Sequence, residues 1–249
     1  MTVIVGIKAA EGIVLAADGY QRNGDQIYDT SRTLFTLKKQ PHGAVAFFDL
    51  LSLRCPRCIP ASTLMARFDA ALPDAAADGE VPTLVLATTL GTFLENVGDG
   101  VGMERDTAKM SAVVGGVDRT GTYGNLYRLT IPQSATPELV VPDHREEFFV
   151  EAWQRDQFTE IVRERYKFPF DEMPIEDCAE LAEFLIQGTI KIDRLSSWQE
   201  SVGGVAEVVT MTPGEGARWY VRSHTGWETG RDKLPSESRG YAALRARRC

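Results

Sequence analysis

Met1-Thr2-Val3-Ile4-Val5-Gly6-Ile7-Lys8-Ala9-Ala10-Glu11-Gly12-Ile13-Val14-Leu15-Ala16-Ala17-Asp18 is the stretch whose reading decides the fold. Thr2 to Ile7 is rich in β-branched residues and reads as a strand. Ala10-Glu11-Gly12 reads as a turn, and Ile13 to Ala17 as a second strand that is apolar throughout and ends on an acid. The pair predicts a β-hairpin. Only Met1 stands before Thr2, and a small second residue is the usual condition for removing an initiator Met. Removal leaves a threonine with a free α-amine. Such an amine titrates at about 7.7–8.0, so near neutral pH it can accept the proton of its own hydroxyl and make that oxygen a nucleophile. A Met-Thr followed by a strand is also an ordinary way for a chain to begin.

The next residues extend the antiparallel reading. Leu34 to Leu37 and Ala44 to Phe48 read as two more strands, separated by turn chemistry at Gln40-Pro41-His42-Gly43. Connections this short cannot make parallel crossovers. Ser62 to Leu72 has helical spacing at Leu64, Met65, Phe68 and Leu72, with Pro73 after it. Residues 74–82 read as loop, while Thr83–Thr89 and Thr92–Val97 are ambiguous, with Thr88, Thr89 and Gly91 favouring strand or turn for part of them. Ser111 to Asp118 and Asn125 to Ile131 read as a hairpin. A helix is expected from about Glu146, with Phe149, Trp153, Phe158, Ile161 and Val162 as its apolar stripe. A second runs from about Ile175 to Asp193. Val205 to Thr210 and Ala217 to Ser223 close the order as strands.

The 249 residues, 43% apolar and 25% charged, suit one domain over residues 1–227 with a charged, Gly-rich tail over 228–249. A net charge of -8 argues against nucleic acid as a partner, because phosphate binding needs a basic face. No stretch approaches the roughly 20 apolar residues that span a bilayer, and no export signal is visible. A cytoplasmic protein is expected, with Cys55, Cys58, Cys178 and Cys249 as thiols.

The segregated order of strands, helix, strands, two helices and strands predicts antiparallel sheets with helices packed outside them. The chain resembles the 20S proteasome A/B superfamily, and within it the β-type subunits, which are N-terminal nucleophile hydrolases; it is similar to a divergent bacterial-type member. The resemblance rests on Thr2 to Ile7 with Gly12 to Asp18. It continues at Val113-Val114-Gly115-Gly116-Val117-Asp118 and Gly124-Asn125-Leu126-Tyr127-Arg128-Leu129, and ends at Ser201-Val202-Gly203-Gly204-Val205-Ala206-Glu207-Val208-Val209-Thr210. These blocks stand in family order over roughly residues 2–215. The resemblance implies an α+β fold, a four-layer αββα sandwich of two antiparallel sheets between helix layers. It also implies self-association into rings or stacked rings, a peptide or protein substrate, and no cofactor or metal.

The family's catalytic positions carry over unevenly. Thr2 matches the nucleophile and Asp18 the acid that orients a catalytic lysine. The lysine position falls on Thr33, with Arg32 one residue earlier. Threonine has no charge, and arginine cannot exchange a proton at neutral pH. The glycine whose N–H helps bind the oxyanion falls near Phe47, where a large side chain would crowd the substrate. The family's Gly-Ser-Gly turn falls near Trp153. The acid of its Asp-x-x-Ser-Gly-Gly falls on Gln199, unless Asp193 supplies it across an inserted loop.

Two hypotheses follow. In one, the protein is a threonine-type peptidase or amidohydrolase that uses Thr2, with backbone N–H groups near Phe47 as the oxyanion site. In the other, it is a catalytically degenerate scaffold or assembly protein of the same fold, as the losses at Thr33, Trp153 and Gln199 suggest. Cys55-Pro56-Arg57-Cys58 is a CxxC, but a zinc site needs four ligands and no matching pair follows. It reads as a chance loop pair. The glycines at Gly98, Gly100 and Gly102 lack the spacing of a nucleotide fingerprint.

Overall fold

The computed structural model describes residues 2–19, 21–23, 26–28, 32–48, 59–100, 110–118, 124–131, 134–141, 148–151, 157–196 and 202–220. The opening hairpin is its centre. Strand β1 (Ile4–Ala9) pairs antiparallel with β2 (Gly12–Asp18), from Ile4 opposite Ala17 to Ala9 opposite Gly12. Every residue of both strands is buried, so the sheet is covered on both faces. Side chains alternate between faces with the strand period of two. Val3, Val5, Ile7 and Val14 face one core, and Ile4, Ile13, Leu15 and Ala17 face another. Full burial of each such Val, Ile or Leu contributes roughly 1.5–3 kcal/mol, which makes the register of this pair strongly specified.

Strands β3 (Gln21–Asn23) and β4 (Gln26–Tyr28) form a small separate hairpin. The second sheet begins with β5 (Leu34–Thr36) and β6 (Gly43–Phe48). Helices α1 (Ala61–Ala71), α2 (Ala75–Asp78) and α3 (Thr83–Gly100) follow. Strands β7 (Met110–Gly116), β8 (Asn125–Ile131) and β9 (Ser134–Leu139) complete that sheet in the order β5-β6-β7-β8-β9, antiparallel throughout. The chain returns to the first sheet with β10 (Phe148–Glu151), crosses its outer face with α4 (Gln157–Arg165) and α5 (Ile175–Ser196), and ends in β11 (Ala206–Thr212) and β12 (Gly216–Trp219). The first sheet is thus ordered β10-β1-β2-β11-β12.

Three cores define four layers. Leu64, Phe68, Leu86, Leu90 and Leu94 of α1 and α3 pack on Phe35, Val45 and Phe47. Ile4, Leu15, Ala44, Ala46, Val113, Leu126 and Met211 fill the space between the sheets. Cys178, Ala182, Leu185 and Ile186 of α5 pack on β1 and β2. This is the αββα sandwich expected from the sequence. The sheets approach closely at Gly6, where a Cβ would stand 2.8 Å from a Leu126 methyl; within the first sheet β2 and β11 approach at Gly12, where a Cβ would collide with the Met211 carbonyl oxygen.

Several segments differ from expectation. Ala75–Asp78, read as loop, is the short helix α2, with the Ala76 N–H donating to Asp74 Oδ1 at 2.9 Å. Thr83–Gly100 is one continuous helix rather than partly strand or turn. Its Leu86, Ala87, Leu90 and Leu94 form a buried stripe, and tertiary burial of that stripe overrides the weak helix propensity of its threonines. Thr88 and Thr89 turn their hydroxyls back on the carbonyls of Leu84 and Val85, both at 2.8 Å. The cap is remote: Thr83 N–H and Thr83 Oγ1 both donate to Asp118 Oδ1 at 2.7 Å. The helix expected from Glu146 begins instead at Gln157, and Phe148–Glu151 is a strand. There the free edge of β1 takes a partner, with Ile7 opposite Phe148 and Ile4 opposite Glu151. The tail at 228–249, the Cys55/Cys58 pair, Trp153 and Gln199 lie outside the described residues. No helix among the described residues is long and apolar enough to cross a membrane.

Candidate active site

The β1–β2 register brings Thr2 and Asp18 to the same end of the sandwich. Asp18 N–H donates to the Val3 carbonyl at 3.2 Å, and Val3 N–H donates to Asp18 Oδ1 at 2.8 Å. The other carboxylate oxygen, Oδ2, accepts the Gly203 N–H at 3.0 Å. Asp18 is wholly buried and Thr2 is only 5% exposed. Burial pushes the Asp18 carboxyl up from 3.8 to about 7, against the downward pull of the Gly203 and Val3 amides and of the chain-terminal amine. Among the described residues, no lysine or arginine belongs to the groups that set its proton affinity.

The lysine position is therefore not refilled by a cation. Thr33, buried at the start of β5, donates its hydroxyl to the main-chain carbonyl of Asp18 at 2.6 Å. Arg32 points elsewhere. Its Nε lies 3.6 Å from Glu207 Oε1 in β11, and its guanidinium stacks 5.1 Å above the Trp219 ring in β12. Those strands continue the sheet on the side of β2 away from β1, so the arginine charge sits off the Thr2–Asp18 pair.

Phe47 lies near the end of β6. Its N–H donates to the Thr33 carbonyl at 2.9 Å, so the amide expected to bind an oxyanion is engaged within the fold. Its ring does not crowd a substrate in the gap between the sheets. It packs in the outer core, edge-on to Phe35 with centroids 6.0 Å apart. Asp193 lies in the last turns of α5, and its Oδ2 accepts the Val202 N–H at 3.3 Å. Asp193 and Asp18 thus hold successive amides of one turn, those of Val202 and Gly203.

Glu207 and Trp219 were not singled out as site residues in the sequence. The signal for Glu207 is present. It is a charged residue two before Val209 and four before Met211, on the strand face that those residues turn inward. Trp219 carries no comparable local signal.

A cavity of about 250 Å³ opens at the far end of the sandwich, lined by Gln40, His42, Glu80, Thr83, Gly116 and Asp118. It is not near Thr2, because Gly43 and Gly116 are the ends of β6 and β7 opposite to Phe48 and Met110. Its polar groups have structural partners. Gln40 bridges the Pro73 carbonyl and the Val81 N–H at 2.9 Å each, and Asp118 caps α3. His42 lies between Glu80 Oε1 at 2.9 Å and the Pro213 carbonyl at 3.2 Å. Among the described residues no group of three His, Cys, Asp or Glu side chains could hold a metal.

No protein-family model matches the chain. No curated protein matches it either. Among solved structures it is similar to an Anbu (Gly-1) mutant from Hyphomicrobium sp. strain MC1, with a TM-score of 0.62 and 14% identity over 87% of this chain and 85% of that one. At that identity the likeness shows the fold alone.

Proposed function

We propose that the protein hydrolyses amide bonds with Thr2 as an N-terminal nucleophile, exposed once the residue before it is removed. The observation that carries this reading is the buried Asp18 carboxylate bonded to the N–H of Val3, the residue directly after Thr2. The bond fixes the start of β1 and leaves an acid beside the new amine. Thr2 Oγ attacks the carbonyl carbon while the Thr2 amine accepts the hydroxyl proton. The acyl-enzyme forms, the amine returns the proton to the leaving nitrogen, and water then releases the acid. With no lysine at position 33, the amine has no neighbouring cation to favour its neutral form. Turnover then needs a higher pH than the family site.

The second reading is a non-catalytic scaffold of the same fold. Three observations favour it: the Thr33 hydroxyl engaged by Asp18, Arg32 turned to Glu207, and the Phe47 amide engaged by Thr33. Both readings are compatible with self-association into rings. Apolar side chains exposed on α4 and α5, Ile161, Phe184, Ile192 and Leu195, support it.

The deciding experiment is intact mass followed by reaction with a peptide epoxyketone, which needs both the hydroxyl and the amine of an N-terminal threonine. A single adduct mapped to Thr2 supports the hydrolase. A chain that has lost its first residue and forms no adduct leaves the scaffold.

A further inference from the structure

Glu207 joins the two sheets at the end where Thr2 and Asp18 lie. Its carboxylate faces the Arg32 guanidinium, with Nε 3.6 Å from Oε1, and the main-chain amides of Leu34 and Thr33 pull its proton affinity down. One acid of the first sheet therefore holds three consecutive residues of the second. Stability alone is a poor reason for it. Burial raises the proton affinity of this carboxyl, and Oε2 has no hydrogen-bond partner among the described residues. A partly buried acid with an unmade bond destabilises the fold, and a well-packed apolar residue would tie the sheets as well.

What Glu207 holds is the contact to Asp18. Thr33 is clamped from three sides. Its amide lies on the Glu207 side and lowers that carboxyl's proton affinity, its carbonyl accepts the Phe47 N–H at 2.9 Å, and its hydroxyl reaches the Asp18 carbonyl at 2.6 Å. The same Asp18 fixes Val3 and Gly203 through its carboxylate. We propose that Glu207 is the positioning residue of the Thr2 cleft: it fixes Thr33, and Thr33 fixes Asp18 against the start of β1. It touches no substrate and acts through those two residues. The inference rests on reading Thr2 as the nucleophile.

The test compares the full-length wild type with Glu207→Ala, Glu207→Gln and Thr33→Val. One readout is the titration midpoint of the Asp18 side chain by carboxyl 13C NMR. The other is the pH profile of Thr2 labelling by the epoxyketone. Glu207→Ala and Thr33→Val are expected to loosen the enclosure of Asp18. They should lower its midpoint from about 7 towards the ordinary carboxylate range. Labelling should slow by about tenfold in both. Glu207→Gln keeps an acceptor oxygen for the Thr33 and Leu34 amides and should stay close to wild type. An unchanged Asp18 midpoint in all three variants, with only a lower melting temperature, would overturn the proposal and leave Glu207 as a tie between sheets. If Glu207→Ala does not fold, Thr33→Val decides, since it leaves the Arg32–Glu207 pair in place. A wild type that is never labelled overturns the Thr2 reading, and the NMR midpoints still decide the link from Glu207 to Asp18.

Discussion

The Asp18 carboxylate accepts the Gly203 N–H at 3.0 Å, joining the end of β2 to a turn 185 residues later in the chain. With the Val3 N–H on its other oxygen, this places a wholly buried acid where four segments meet: the starts of β1 and β5, the end of β2, and the turn before β11. Its titration should be visible in both stability and activity.

Burial raises the folded-state pKa of Asp18 from 3.8 to about 7. Between those values the folded protein holds a proton that the unfolded chain has released. The Asp18 contribution to stability is therefore most favourable below about pH 4, falls as pH rises towards about 7, and is flat above that. The loss is on the order of a few kcal/mol. Glu207, also raised by burial, adds a loss of the same sign. Urea midpoints at pH 5 and pH 7.5 should differ in the wild type, and the difference should shrink but not vanish in Asp18→Asn. Equal shrinkage in an exposed control such as Asp99→Asn would remove Asp18 as the cause.

Activity should follow the amine rather than the acid. The free Thr2 amine is a base only when neutral, and the Asp18 carboxylate beside it favours its charged form, so hydrolysis of a fluorogenic peptide should rise with pH at or above the ordinary amine range of about 7.7–8.0 and then level off. Thr2→Ala should abolish it, and Thr2→Ser should retain a fraction. Residual hydrolysis equal in wild type and Thr2→Ala would assign the activity to a contaminant.

The glycines at close approaches of the main chain should tolerate no side chain. A Cβ on Gly12 would collide with the Met211 carbonyl, and one on Gly124 would stand 2.7 Å from the Gly116 carbonyl besides colliding with the Ile13 side chain. Gly12→Ala and Gly124→Ala should each cost about 3 kcal/mol or more, because main chain cannot move aside as a side-chain tip can. Gly79→Ala is the control. Gly79 has φ +88° with nothing near a Cβ, so only backbone strain of about 1–2 kcal/mol applies. Denaturant midpoints of the three variants check the order.

The remote cap of α3 gives a fourth test. Asp118→Ala leaves the Thr83 N–H and hydroxyl without their shared acceptor. The loss should be about 1–2 kcal/mol, with faster amide hydrogen exchange confined to the first turn of the helix.

The sequence by itself determined the opening hairpin, because a β-branched strand and an all-apolar strand joined by a Gly-marked turn are best satisfied as a buried antiparallel pair. It determined α5 as well, through the spacing of Cys178, Ala182, Leu185 and Ile186. It placed Thr2 and Asp18 at one end of that hairpin, since the register of a short-turned pair is local. It did not determine α3, whose threonines read as strand until Leu86, Leu90 and Leu94 find a sheet to cover. Nor did it reveal β10, which exists because β1 has a free edge. The state of the site was decided only in three dimensions. Arg32 and Thr33 are neighbours in sequence, yet one side chain goes to Glu207 and Trp219 and the other to the Asp18 carbonyl. Which way each turns depends on strands β11 and β12, which come more than 170 residues later, and no local pattern carries that information.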